Sequence, residues 1–199
     1  MTEFPRSIFT PPFAYISKNI ISNDDCSRII NLGNNNWEEG KTNDPEYKKI
    51  RKCEVAWSNE QWIYDLLWDH MIQVNNESGW GYQISAAQSV QITKYTKGGF
   101  YSWHIDGLGS HMEVWEEPNN VHLHGNTRKL SMSLILNNEF KGGNLQIRHT
   151  NTWDGNTDTV KVDKGKMIFF PSFMEHRVTP VKEGVRYSLV CWFVGRPFI

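Results

Sequence analysis

A mainly β fold with its helices gathered at the N-terminal end is what the sequence predicts, on three observations. Two stretches before residue 80 carry apolar residues at helical spacing, Cys26-Ile29-Ile30-Leu32 and Trp62-Ile63-Leu66-Leu67-Met71-Val74. From residue 84 the period falls from 3.6 to 2, as half-buried strands require. Glycine-bearing turns then punctuate the chain: Lys97-Gly98-Gly99, Lys141-Gly142-Gly143, Asp154-Gly155-Asn156, Asp163-Lys164-Gly165 and Lys182-Glu183-Gly184. Short strands set off by such turns make a sandwich or a barrel, with the helices packed on one side.

Taken in order, residues 1–21 read as an extended lead-in interrupted by Pro5, Pro11 and Pro12. Ser22 followed by Asp24 and Asp25 is a helix N-terminus, because a hydroxyl cap and early acids satisfy the free N–H groups and the dipole. Gly33 supplies the stop. The polar run 38–52 has no clear period, and Glu54-Val55-Ala56-Trp57 is a brief strand. A second helix follows, with Ser58 as cap, Gln61 completing a capping box and Gly79 and Gly81 ending it. His70 lies beside its apolar stripe and is a structural histidine. Strands are expected at 87–95, 99–105, 129–136, 143–149, 158–162, 166–170, 174–180 and 185–193, with one long loop at 107–127. The boundary falls at 83/84: residues 1–83 are an extended and helical segment packing on a β core of residues 84–199, one domain overall.

Composition narrows the function classes. A formal net charge of -1 gives no signal for nucleic acid or an anionic membrane. No run of eighteen apolar residues spans a bilayer, and the first residues lack the basic and apolar regions of a secretory signal. Three widely spaced cysteines without a CxxC form neither a zinc ribbon nor a disulfide framework, so reduced thiols in a cytoplasmic setting are expected. Nothing in the sequence sets an oligomeric state.

The chemistry sits in the segment Tyr95 to Asp106. His104 and Asp106, two apart on an extended chain, point the same way and make half a metal site. His176, in Glu175-His176-Arg177-Val178-Thr179-Pro180, is the third ligand. Two His and one Asp leave open positions on a non-haem iron(II), whereas a structural zinc would be closed by four ligands. Lys182-Glu183-Gly184 reads as a three-residue hairpin loop, pairing Val181 with Val185 and Val178 with Ser188. His176, Val178, Arg186, Ser188, Val190 and Trp192 then share one face, and Val185, Tyr187, Leu189, Cys191 and Phe193 the other. An arginine inside a β core needs an anion, and a dicarboxylate whose other end chelates the metal is its natural partner. Tyr95 can donate its hydroxyl to the same carboxylate.

With His104-x-Asp106, His176 and Arg186 in this spacing, residues 88–195 resemble the 2-oxoglutarate- and Fe(II)-dependent dioxygenases. The pattern is similar to that of the prolyl 4-hydroxylase-like and PKHD-type hydroxylases. The phrases Leu136-Asn137, Gly142-Gly143-Asn144-Leu145 and Gly184-Val185-Arg186-Tyr187-Ser188 carry the resemblance further. It implies a double-stranded β-helix, a jelly-roll or cupin-like barrel. It implies Fe(II), 2-oxoglutarate and O₂, with ascorbate as an auxiliary reductant, and hydroxylation of a substrate C–H bond with release of succinate and CO₂. By the resemblance, His104, Asp106 and His176 bind iron, Arg186 and Tyr95 hold the distal carboxylate, Ser188 completes an Arg-x-Ser arrangement, and Trp192 lines that pocket.

Departures sharpen the reading. Arg186 stands where collagen-type enzymes usually have Lys, and no Tyr occurs on the strand Leu134-Ile135-Leu136-Asn137. Asp106 is retained, unlike in the related halogenases. Trp192 occupies the position of the second arginine of the nucleic-acid demethylases, which argues against base repair. Tyr101, Arg128 and Trp115 are candidates for substrate contact. His122 and His124 read as solvated loop histidines, and Trp103 as a packing residue pointing away from the metal. A peptidyl proline or other peptide side chain is the leading substrate class. A free amino acid or small molecule, and a non-catalytic metal-binding or partner-binding module, stay open at this point.

Overall fold

The computed structural model describes residues 12–34, 36–42, 45–107, 114–148, 157–161 and 163–197. Its N-terminal part contains β1 (Tyr15–Ile16), α1 (Asn23–Gly33), β2 (Glu38–Glu39), α2 (Tyr47–Ile50), β3 (Arg51–Lys52), β4 (Glu54–Ser58) and α3 (Gln61–Glu77). There follow β5 (Ala86–Ala87), β6 (Val90–Tyr95), β7 (Phe100–His104), β8 (Thr127–Ile135), β9 (Phe140–Gly142) and β10 (Leu145–Arg148). The last elements are β11 (Thr157–Val160), β12 (Met167–Pro171), β13 (His176–Val178), β14 (Val181–Gly184) and β15 (Arg186–Gly195).

Ser22 caps α1 as its chemistry dictates, its hydroxyl accepting from the Asp25 N–H at 3.0 Å. The expected capping box of the second helix does not form. α3 starts at Gln61 after Glu60, without a side-chain cap, because Ser58 is still the last residue of β4. The Ser58 hydroxyl accepts from the Glu60 N–H instead, and the Gln61 amide reaches forward to Asp65. His70 shares a 3.3 Å hydrogen bond with the Asn19 amide, consistent with a structural role.

The strands form a large sheet in the order β1-β12-β8-β15-β6-β4-β2, with β5 on the far end of β15. A five-stranded sheet, β11-β10-β13-β7-β3, and the pair β14-β9 complete the β core. The sheets face one another as a double-stranded β-helix without closing into a barrel. Helices α1 and α3 cover the outer face of the large sheet, where Ile29, Ile63, Leu67 and Met71 pack with Leu130, Met132, Leu189, Cys191 and Phe193. Burial of this apolar surface orders the sheet that carries the site. The N-terminal segment is built into this architecture, since β4 pairs with β6 over five residues and β3 extends the smaller sheet.

Two strand expectations change. The segment 174–180 is split: β13 lies in the smaller sheet, and Val181 pairs with Gly142 on β9. The hairpin of Val181 with Val185 and Val178 with Ser188 is therefore absent. Arg186 pairs instead with Tyr95, and Ser188 with Thr93 and Ile135, all in the large sheet. The turn residue was read correctly, since Gly184 has φ 73. Its turn passes the chain from one sheet to the other rather than folding it back on itself. The faces nonetheless come out as expected: Tyr187, Leu189, Cys191 and Phe193 face the helices, and Arg186, Ser188, Val190 and Trp192 face inward. The polar run 38–52 also holds more structure than its composition suggests, with two short strands, a helical turn and a buried Arg51.

Candidate active site

β7 and β13 lie side by side, with His104 opposite His176 and Tyr101 opposite Val178. Three residues of β7 therefore span two of β13, a bulge that inserts one extra residue. Tyr101 and His104, which plain alternation would put on opposite faces, share one, their rings stacked with centroids 3.5 Å apart. Each imidazole turns Nδ1 to a carbonyl, His104 to Ser102 at 2.7 Å and His176 to Met174 at 2.9 Å. These bonds fix Nδ1 as the donor and leave the Nε2 lone pairs free for a metal.

Asp106 lies just past the end of β7, held by its N–H to the Ser172 carbonyl at 3.2 Å. Its Oδ2 accepts from the Ser131 hydroxyl at 2.7 Å, and Ser131 meets the Ser172 hydroxyl at 2.9 Å. The carboxylate stands 3.9 Å from His104 Nε2 and 3.6 Å from His176 Nε2. The three ligand atoms lie within 4.8 Å of one another, the one such His/Cys/Asp/Glu group among the described residues. Burial raises the Asp106 pKa, but His176, His104, Arg128 and Ser131 outweigh it and hold the carboxyl down at about 2. Burial first, and His176 second, push His104 well below its ordinary value. A carboxylate beside two imidazoles with their Nε2 atoms free is the donor set a divalent iron takes.

These residues open onto a cavity of about 430 Å³. Arg186 stands at its other end, only 1% exposed, with Nη1 donating to Ser188 Oγ at 2.8 Å and Nε without a partner. No carboxylate of the described residues pairs with it. Tyr95 is its register partner, and burial raises that phenol's pKa, so it stays protonated and able to donate. A buried guanidinium with an unpartnered N–H is costly unless an anion completes it. The pocket thus fits a dicarboxylate spanning from Arg186 to the metal ligands.

The family model described as the 2OG-Fe(II) oxygenase superfamily matches residues 90–194, more than half of the chain. The chain belongs to that superfamily. Its enzymes use Fe(II), 2-oxoglutarate and O₂. A PKHD-type hydroxylase of Prochlorococcus marinus is 24% identical over 186 residues, covering 89% of this chain and 76% of its own. One from Xylella fastidiosa is 30% identical over 104 residues, covering 51% of this chain and 42% of its own. Several other PKHD-type relatives are likewise matched over less than half of their length. Among solved structures, a prolyl-4-hydroxylase of Pseudomonas putida superposes with a TM-score of 0.67 at 18% identity, covering 92% and 93% of the two chains. A prolyl hydroxylase of Trichoplax adhaerens, in complex with a hypoxia inducible factor peptide fragment, gives 0.69 at 16%, covering 91% and 83%. At these identities the structural likeness speaks for the fold.

Tyr101, Trp115, Arg128 and Trp192 all line this cavity. Trp192 lines the same cavity as Arg186, at a distance from it. Six residues along β15 place it roughly 20 Å away, where its ring lies 6.2 Å from that of Trp57 and under the Arg128 guanidinium at 4.0 Å. Arg128 also bonds Gln88 at 2.6 Å and lies over the Trp115 ring at 5.4 Å. Trp103 points away from the metal ligands, with the guanidinia of Arg148 and Arg177 against its ring. His122 and His124 are exposed, and residues 108–113 of the long loop, with His111 and Met112, lie outside the described residues. Arg51 was missed. It is 8% exposed, lines the cavity and lies over the Tyr101 ring at 4.6 Å. The aperiodic run around it gave no signal, and its partner is a thiol, Cys53 Sγ at 2.9 Å, rather than an acid. The Ser131–Ser172 support of Asp106 was also missed, because serines on strands are too common to stand out.

Proposed function

We propose that the chain hydroxylates a C–H bond of a peptide-borne side chain, proline foremost, coupled to decarboxylation of 2-oxoglutarate to succinate and CO₂. The observation that carries this reading is one cavity with a His104–Asp106–His176 ligand set at one end and an unpaired, buried Arg186 at the other. Bound iron would supply O₂ activation there, and the open positions of a three-ligand site leave room for a chelating co-substrate. The chain's own residues do the positioning. Arg186, with Tyr95 and Ser188 beside it, would orient the distal carboxylate by charge-assisted hydrogen bonds. Ser131 fixes the Asp106 carboxylate, and the two Nδ1 contacts fix the imidazoles. The Trp57, Trp115 and Trp192 side forms the mouth through which substrate approaches. Peptide as the substrate class is supported by the prolyl hydroxylases among the structural neighbours. No helix among the described residues is long and apolar enough to cross a membrane.

The test is succinate formation from 2-oxoglutarate with added Fe(II), with and without ascorbate, against a peptide panel read by mass spectrometry. A gain of one oxygen on peptide proline, absent from His176→Ala, is the expected result. Metal binding with no turnover of 2-oxoglutarate on any substrate would favour a binding module instead.

A further inference from the structure

The cavity carries more positive charge than the oxygenase chemistry consumes. Its described lining holds Lys41, Arg51, Arg128 and Arg186 against a single acid, Asp106. With a divalent metal and a 2-oxoglutarate dianion in place, those two charges, Asp106 and Arg186 sum to zero. Lys41, Arg51 and Arg128 are left over. Neither Arg51 nor Arg128 forms an ion pair with any described residue. Arg51 spends Nε on the Cys53 thiol and Nη1 on the Lys41 carbonyl, and Arg128 spends Nε on Gln88. The remaining guanidinium N–H groups make no hydrogen bond to the described residues. Beside Arg128, the Trp192 indole N–H is sealed and unpartnered, on a side chain 6% exposed. An indole N–H can only donate, and so can a guanidinium.

We infer that the cavity selects a substrate bearing a carboxylate, received by the free guanidinium N–H groups of Arg51 and Arg128. The inference rests on the hydroxylase reading above and names the chemistry of its substrate. Two sources share that chemistry: an acidic side chain next to the target residue in a peptide, and the α-carboxylate of a free amino acid. A neutral peptide would leave the two desolvated charges of Arg51 and Arg128 unmatched, which is the costlier arrangement.

Calorimetric titration of the full chain loaded with Zn(II) and 2-oxoglutarate tests this without turnover. The probes are a proline peptide flanked by Glu against the same peptide with Gln, and L-proline against prolinamide. The carboxylate member of at least one pair should bind about ten- to a hundredfold more tightly, as charge-assisted bonds do. The pair that shows the preference identifies the source. Cys53→Asp places a competing carboxylate beside Arg51 and should erase most of that preference. Arg51→Gln should lower the preference by a different route. Equal binding within both pairs, no binding by any probe, or a preference untouched in both variants overturns the inference and leaves the hydroxylase reading standing. Failure of 2-oxoglutarate itself to bind the Zn(II)-loaded chain overturns both.

Discussion

On one face of β15, Tyr187, Leu189, Cys191 and Phe193 press against the helices; on the other, Arg186, Ser188, Val190 and Trp192 look into the cavity. The first face is finished by the protein alone. Leu189 and Cys191 are fully buried among apolar neighbours, and burial drives the Cys191 thiol pKa far up. The second face is unfinished. Arg186 Nε and Trp192 Nε1 are the sealed side-chain polar atoms without a partner among the described residues, and both lie on it. One strand thus divides its residues by parity into those that hold the fold and those that wait for ligands.

Substitutions on the two faces should break this comparison if it is wrong. Leu189→Ala should cost about 2–5 kcal/mol in denaturant unfolding, from lost transfer energy and the cavity left behind. Its Michaelis constant for 2-oxoglutarate should stay near that of the parent. Arg186→Ala should do the reverse, raising that constant about a hundredfold or more while leaving the melting temperature unchanged or higher, because an unpaired buried charge is gone. Equal loss of stability in the two variants would erase the distinction. Ser131→Ala removes the hydroxyl that holds Asp106 and should weaken Fe(II) affinity about ten- to a hundredfold, measured by competition with a chelator. The smallest effect is expected at Gly143, where an added Cβ would lie 2.8 Å from Arg186 Cδ in a backbone with φ 61. Gly143→Ala should shift Arg186 and lower 2-oxoglutarate affinity about tenfold, with metal affinity intact; a metal defect there would mean that the two ends of the cavity are not independent.

Much of this arrangement was legible from spacing. His104, Asp106, His176 and Arg186 stand out because metal ligands and buried cations are chemically conspicuous; the alternation of β15 follows from its period, while the face given to Arg186 came from a hairpin register that the chain does not adopt. The route of the chain was not legible. Gly184 looks the same whether it closes a hairpin or passes the chain between sheets, and only the pairing of Val181 with Gly142 decides. Parity puts Trp192 on the cavity face, but it carries no distance and so says nothing of how far Trp192 lies from Arg186. Arg51 was invisible because a buried arginine on a two-residue edge strand has no periodic neighbours to announce it.

The extra residue in β7 has a consequence for the metal end. By bringing Tyr101 flat against His104, it closes one side of the imidazole to rotation, while the Ser102 carbonyl fixes the ring's tilt. The ring is held in its coordinating pose during folding, so little orientational entropy remains to be lost when an ion arrives. Straightening the bulge with every residue kept would restore plain alternation at a spacing of three and swing the phenol to the far side of the sheet. The histidine would keep its place in the chain and lose its preorganisation.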